Sequence, residues 1–322
     1  MNKYKIIEKG NGIGMMEYFS EHWYEIHGLF PQCEKCSGTI YGEDMKCADC
    51  GADVYFRKIK SVSMVLGVVD KGYGFTEWLK SVGPNADYIS RKAAESGSKL
   101  HDVFEKSILG ETISAETGEF DLKQWKKYNN WCDWYEGLKI TPYHVEIALY
   151  GDFNSELAPK PDGISREDWA WMNHVAGTCD LVARIEYIET KGTGKNKVEI
   201  PHDDVYICDW KTGNATYETS KLQIAAYAKM YNDLVDKGVL TTPRATKGII
   251  VHVGGANKTK KGLNNVGVKA TEVNLNDELE SFRDTLRVFN RFNQTIKAPT
   301  DMYPVERKLE SGLLLPPEEI VN

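Results

Sequence analysis

Three Asp-x-Lys triplets occur in this chain: Asp44-Met45-Lys46, Asp121-Leu122-Lys123 and Asp209-Trp210-Lys211. The first falls inside a cysteine cluster and the second opens a helix. Only the third closes an apolar, strand-like run, Val205-Tyr206-Ile207-Cys208. On a strand, residues i and i+2 leave on the same side, so Asp209 and Lys211 are expected to project together. A carboxylate there can hold a divalent cation, while the ammonium beside it orients or deprotonates an attacking water. The Trp210 carbonyl between them is a candidate further ligand. The combination suits metal-assisted hydrolysis.

Other polar residues could converge on the same point. Asp180 follows Gly177-Thr178-Cys179 and is read as beginning a strand, Thr178 to Ile188. The turn-rich tip Lys191-Gly192-Thr193-Gly194-Lys195-Asn196 joins that strand to the strand of Asp209, as a hairpin. Two carboxylates on neighbouring strands can share one Mg²⁺ or Mn²⁺; a turn-capping role for Asp180 is the plainer alternative. His101 and Glu105 are four apart on one helix face, so both can reach one site. His101 is a candidate third metal ligand, or else a surface or capping histidine. Glu146 points opposite to Val145 and Ile147, toward a metal or toward a basic partner. Gln223 and Tyr227 lie four apart on the helix after Gly213. Their polar ends face either a phosphate or Lys211, or they pack at the rim of the core.

Four of the seven cysteines form Cys33-x2-Cys36-x10-Cys47-x2-Cys50. Two such knuckles place four thiolates around one point, the arrangement of a structural zinc ribbon. Pro31, Gly38, Gly42 and Gly51 supply the turns, and metal binding would supply folding energy that so short a segment lacks. Iron–sulfur ligation is the rival use of four thiolates. With all four ligands taken, the site is expected to be structural, with or without a contact to a partner.

These residues need elements to carry them. The spacing of Leu100, Phe104 and Ile108 predicts a helix over 88–109. A second helix is expected over 121–136, with Leu122, Trp125, Tyr128, Cys132 and Tyr135 on one side. Strands are expected at 144–150, 178–188 and 205–210, then a helix at 218–236 and a strand at 248–253. A last amphipathic helix carries Leu279, Phe282, Leu286 and Phe289. The order implies an α/β or α+β fold with one central mixed sheet. Residues 1–29 show no clear periodicity, 30–56 hold the cysteines, and 57–322 form the main domain. Hydrophobic content of 41% and charged content of 27% are those of a globular chain. A net charge of −7 argues against coating nucleic acid by bulk charge, though not against meeting it in one cleft. The longest apolar runs, such as Ile249 to Val253, fall far below the ~18 residues of a membrane helix. The start, Met1-Asn2-Lys3-Tyr4-Lys5, has no apolar signal core, so a cytoplasmic location is expected.

Four stretches in order, spanning roughly 61–255, resemble the RecB-like branch of the PD-(D/E)XK nucleases, including phage-type recombination exonucleases. They are Ala94-x2-Gly97-x3-His101-x3-Glu105-x4-Gly110; Glu146; Gly177-Thr178-Cys179-Asp180; and Asp209-Trp210-Lys211-Thr212-Gly213 with Gln223-x3-Tyr227. The stretch from Ser61 to Trp78 is similar to the segment before the histidine helix in phage members. The resemblance implies a restriction-endonuclease-like core plus a small zinc ribbon. It implies that His101, Asp180 and Asp209 bind Mg²⁺ or Mn²⁺, that Lys211 is the catalytic lysine, and that Gln223 and Tyr227 complete the last motif. The activity it implies is a deoxyribonuclease, more in keeping with an exonuclease on linear DNA than an endonuclease; a non-catalytic DNA-binding module is the remaining alternative. DNA is the expected partner, with a recombination or replication protein such as a single-strand annealing or binding protein beside it, in the host cytoplasm if the chain is phage-encoded. Some relatives carry an iron–sulfur cluster with cysteines at both ends of the core. Here no cysteine follows Cys208, which favours zinc. No Gly-x4-Gly-Lys-[Ser/Thr] run is present, so no ATP motor is expected.

Overall fold

The computed structural model describes residues 6–10, 12–18, 21–27, 29, 31–33, 50–51, 54–154, 160, 162–192, 194–213, 216–254 and 257–294. The chain begins with strands β1 (Ile6–Glu8), β2 (Ile13–Tyr18) and β3 (Glu21–Ile26). Strands β4 (Pro31–Cys33) and β5 (Val54–Phe56) pair with each other, and β6 (Ile59–Lys60) returns to pair with β3. The result is an antiparallel sheet in the order β1-β2-β3-β6, whose last strand lies beyond residue 56. The N-terminal segment is thus built into a sheet that its sequence did not announce. In β3 the buried residues are Trp23, Tyr24 and Ile26, so no period-two alternation marks it.

Helices α1 (Val62–Leu66), α2 (Tyr73–Val82), α3 (Ala86–Ile108) and α4 (Leu122–Glu136) follow. Next come β7 (Lys139–Asp152), α5 (Arg166–Asn173), β8 (His174–Lys191), β9 (Val198–Lys211) and α6 (Thr219–Asp236). Strands β10 (Lys247–Val253) and β11 (Val268–Val273) and helix α7 (Leu275–Phe292) complete the described fold. The central sheet has the order β11-β10-β9-β8-β7. Only β9 and β10 run parallel, so the sheet is mixed and the fold is α/β in the α+β sense.

Each face of this sheet has its own core. On one, α1, α6 and α7 pack Val62, Ile224, Phe282 and Phe289 against Ile147, Val182 and Ile207. On the other, α3 and α4 pack Leu100, Phe104, Trp131 and Trp134 against Leu181, Ile249 and Trp210. Phe104 stacks on Trp131 at 4.4 Å between centroids, and Trp210 meets Trp131 and Trp134 edge-on at 5.9 and 5.8 Å. Such ring pairs add to the burial of large apolar surfaces.

The helices expected at 88–109, 121–136 and 218–236 appear within two residues of those limits. Of the residues expected on one side of α4, Tyr128, Cys132 and Tyr135 pack against the core, whereas Leu122 is 85% exposed. Trp131 and Trp134 go deepest, because the two indoles fill the space beneath Trp210. Strand β8 begins at His174, so Asp180 lies inside it rather than at its start. Helix α5 and edge strand β11 were not anticipated. The first is eight residues long, too short for a periodic signal, and the second buries only its end residues, Val268 and Val273. Cys36, Cys47 and the Cys33 side chain lie outside the described residues, as does Asp44-Met45-Lys46; Cys50 is exposed. Among the described residues, no helix is long and apolar enough to cross a membrane.

Replacing Phe104 with Ala removes the ring that wedges α3 against Trp131 and Trp210. The expected cost is about 3–5 kcal/mol, read as a lower urea midpoint at unchanged slope.

Candidate active site

The site forms where two strand ladders open. Along β7 and β8, Val145 pairs with Leu181 and Ile147 with Cys179, but Glu146 and Asp180 between them do not pair. Glu146 has φ of 49°, and among the described residues it alone combines a side chain with positive φ. That backbone state costs on the order of 1–3 kcal/mol and persists only where the surroundings impose it. On the other side, the β8–β9 ladder ends at Leu181 and Cys208. One step further, Asp180 Oδ2 accepts a hydrogen bond from the Trp210 N–H at 2.6 Å. Val145 and Leu181 pack into the α3–α4 core, whereas Ile147 and Cys179 pack into the α6–α7 core. Both strands therefore turn over at Glu146 and Asp180, which leaves these two carboxylates facing a gap between the cores.

Helix α3 lowers His101 into that gap. His101 Nδ1 lies 3.3 Å from Asp180 Oδ1, and one donor atom each from His101, Glu146 and Asp180 fall within 4.8 Å of one another. Burial pushes the Glu146 carboxyl up to about 8, with the Asp180 charge adding to the effect and His101 and Lys9 opposing it. Burial likewise pushes Asp209 up to about 6, against the pull of the Lys211 ammonium. Burial would also raise Asp180, but His101, Lys211 and the Trp210 N–H outweigh it and hold Asp180 below its ordinary value. His101 is raised: burial opposes its charge, and Asp180 overcomes that opposition.

Three carboxylates thus share a buried space with one ammonium and one imidazole. Asp209 Oδ2 is buried and meets only Lys211 Nζ, at 2.5 Å, in an ion pair that falls short of a directed hydrogen bond. Oxygen donors with one imidazole, crowded and short of positive charge, fit a hard divalent cation.

On the α6 side, Lys211 Nζ donates to Gln223 Oε1 at 3.0 Å, and Gln223 Nε2 donates to Tyr227 Oη at 2.9 Å. The Tyr227 ring lies over Gly177, where a Cβ would come within 2.6 Å of Cε1. The glycine before Asp180 therefore makes room for a ring, not for backbone. Gly97 plays a similar part on α3, where a Cβ would stand 3.2 Å from Thr212 Oγ1.

The residues singled out from the sequence thus fall into two groups. His101, Glu146 and Asp180 cluster as potential ligands, while Asp209 lies behind them and binds Lys211, which leads to Gln223 and Tyr227. Trp210 reaches Asp180 through its N–H. A strand residue's C=O leaves on the same edge as its N–H, which puts the Trp210 carbonyl on the Asp180 side. Glu105 is half-buried, and its charge acts on Glu146.

Three positioning groups escaped the sequence reading. Lys127 donates to the Thr212 carbonyl, His252 Nε2 lies 2.8 Å from the Gly213 carbonyl, and Tyr24 Oη lies 3.1 Å from Thr178 Oγ1. His252 had a signal. It is the next-to-last residue of β10, the parallel neighbour of β9, and pairs in register with Lys211. The carboxyl ends of adjacent parallel strands are where ligands gather.

An acid whose pKa is raised by folding favours the folded state while it keeps its proton. The unfolded chain releases that proton near 4.5, so Glu146 costs stability as pH rises from there to about 8. Glutamine mimics the protonated form. In chelator, Glu146→Gln should match the wild type at pH 5 and exceed it at pH 8 by roughly 1–3 kcal/mol in denaturant melts. No family model matches this chain, and no curated protein matches it either.

Proposed function

We propose that this chain is a divalent-metal-dependent deoxyribonuclease with a restriction-endonuclease-like core, acting from the ends of linear DNA. What carries the reading is the pairing of an oxygen-and-imidazole ligand group, His101, Glu146 and Asp180, with the ammonium of Lys211 held beside it by Asp209 and Gln223. The resemblance of the His101, Asp180 and Asp209-Trp210-Lys211 stretches to PD-(D/E)XK nucleases supports the same reading. His101, Asp180 and Glu146 would hold a Mg²⁺ or Mn²⁺ ion, with Asp209 and the Trp210 carbonyl as further donors. Such an ion would supply Lewis-acid stabilisation of charge on a phosphoryl group.

Lys211 has three protons to donate. Asp209 and Gln223 account for two directions, and the third is available to a water or a phosphoryl oxygen. Gln223 is itself fixed by Tyr227, so the ammonium is aimed before substrate arrives. The water oxygen bonds to phosphorus while the P–O3′ bond breaks. One water proton ends on the leaving 3′ oxygen, and the product carries a 5′ phosphate. Buried carboxylates around the point of attack keep bulk anions away. A zinc ribbon at Cys33, Cys36, Cys47 and Cys50 belongs to the same proposal as a structural accessory, and a recombination or replication protein as its partner.

Purified protein with Mg²⁺ and end-labelled linear duplex is expected to release nucleotides, and to leave a covalently closed circle intact. Cutting of the circle would make the chain an endonuclease, and DNA binding without cleavage would make it a scaffold. Lys211→Ala should lower the rate by roughly 10²–10⁴-fold with DNA binding retained. Full activity in that variant would overturn the assignment.

A further inference from the structure

The proposed chemistry makes no use of the N-terminal sheet, yet that sheet is fastened to the strand that carries Asp180. Ser61 forms a parallel bridge to Ala176. Lys60, 1% exposed, donates through Nζ to the carbonyls of Met172 at 2.6 Å and His174 at 3.3 Å. Tyr24 Oη and Thr178 Oγ1 share a hydrogen bond of 3.1 Å. His174, Ala176 and Thr178 are the alternate residues of β8 leading up to Asp180. Ile13, Met15 and Tyr24 also share a core with Ala148 and Ala176. The sheet is thus seated against the opening of the site, with the buried Tyr24 ring between them.

One charged group of this sheet acts on the site. Lys9 follows β1 in the turn to β2, and the turn is closed by its own N–H on the Ile13 carbonyl at 2.8 Å. Lys9 is half-buried, and its charge acts on Glu146 across the gap. Among the described residues it has no ion pair and no side-chain hydrogen bond, whereas Lys58 and Arg57 of the same region pair with Glu25 and Asp168. A lysine whose charge reaches Glu146, with no carboxylate bonded to it, is placed to receive an anion brought to that side of the site.

We infer that the N-terminal sheet is one wall of the hydrolytic site: Lys9 is a substrate-binding residue for a phosphate next to the scissile one, and Tyr24 is a positioning residue acting through Thr178. The inference rests on the nuclease reading, and it makes the site composite. The central sheet supplies the reacting groups, and the N-terminal sheet supplies the grip on the flanking backbone. Contact with phosphate carries no sequence information, so this grip applies to DNA of any sequence.

The test is fluorescence anisotropy with a labelled DNA duplex and a labelled single strand across a salt series, in the Lys211→Ala background so that substrate survives. Lys9→Ala should weaken binding about tenfold near 0.1 M salt. It should also reduce the slope of log affinity against log salt by about 1, the signature of one lost phosphate contact. Lys9→Arg should restore both. With Lys211 intact and Mg²⁺ present, Lys9→Ala should raise KM about tenfold with kcat within about twofold. Tyr24→Phe should lower kcat about tenfold and leave the salt slope unchanged.

A folded Lys9→Ala protein with unchanged affinity and slope would overturn the role of Lys9. A Tyr24→Phe protein with unchanged kcat would overturn that of Tyr24. In both cases the nuclease reading stands if the wild type cleaves DNA. A wild type that neither binds nor cleaves either DNA form overturns both proposals together.

Discussion

The Asp180 carboxylate stands in for a peptide carbonyl. Where the β8–β9 ladder stops, Trp210 still presents an N–H that needs a partner, and a side-chain oxygen takes it at 2.6 Å. A buried N–H left alone would cost about 1–3 kcal/mol, and a buried carboxylate without donors considerably more. Each group thus answers the other's need, and the other carboxylate oxygen is left for His101. Because one end of Asp180 is tied to the backbone of the very residue between Asp209 and Lys211, the two strands' acidic groups cannot drift apart without breaking the sheet. Everything else in the site is referenced to that bond.

The two cores explain how so many charged groups tolerate burial in one place. Strands β7 and β8 change the core they face at Glu146 and Asp180, so neither core closes over the gap. The aromatic cluster of Phe104, Trp131, Trp134 and Trp210 holds α3 and β9 together from one side. From the other, α6 brings Gln223 and Tyr227 to Lys211. The positive φ of Glu146 is local strain sustained by packing on both sides. The carboxylates repel one another in a space where water screens them poorly, and that repulsion is what a bound cation would relieve.

Much of this was legible in the sequence because it rests on short-range rules. Asp209 and Lys211 project together because strand residues alternate, and they meet in an ion pair. His101 follows Leu100 and lies about one turn before Phe104 on a helix whose apolar spacing was plain, so its approach to the sheet followed from that helix. Glu146 was legible only as an alternative, because period two says which face a residue takes but not that the ladder breaks there. The N-terminal sheet was hidden. Its strands are two to six residues long, and Trp23 and Tyr24 are buried side by side. Tyr24 and Lys9 are therefore linked to the site only by pairings that no local pattern encodes. On α4, helical spacing put Tyr128, Cys132 and Tyr135 on one side and they pack against the core, but indole size decides that Trp131 and Trp134 lie deepest, beneath Trp210.

The short strands β4 and β5 have a different bearing. Their register places Cys33 opposite Val54, so two positions far apart in sequence sit side by side at one end of a two-stranded ladder. The ends of the intervening sequence are thereby held together whatever its length, and the closure entropy of such a connection changes only slowly as residues are added or removed. The cysteine-bearing sequence is in this sense a cartridge: evolution or an engineer can swap it while β4 and β5 keep their course.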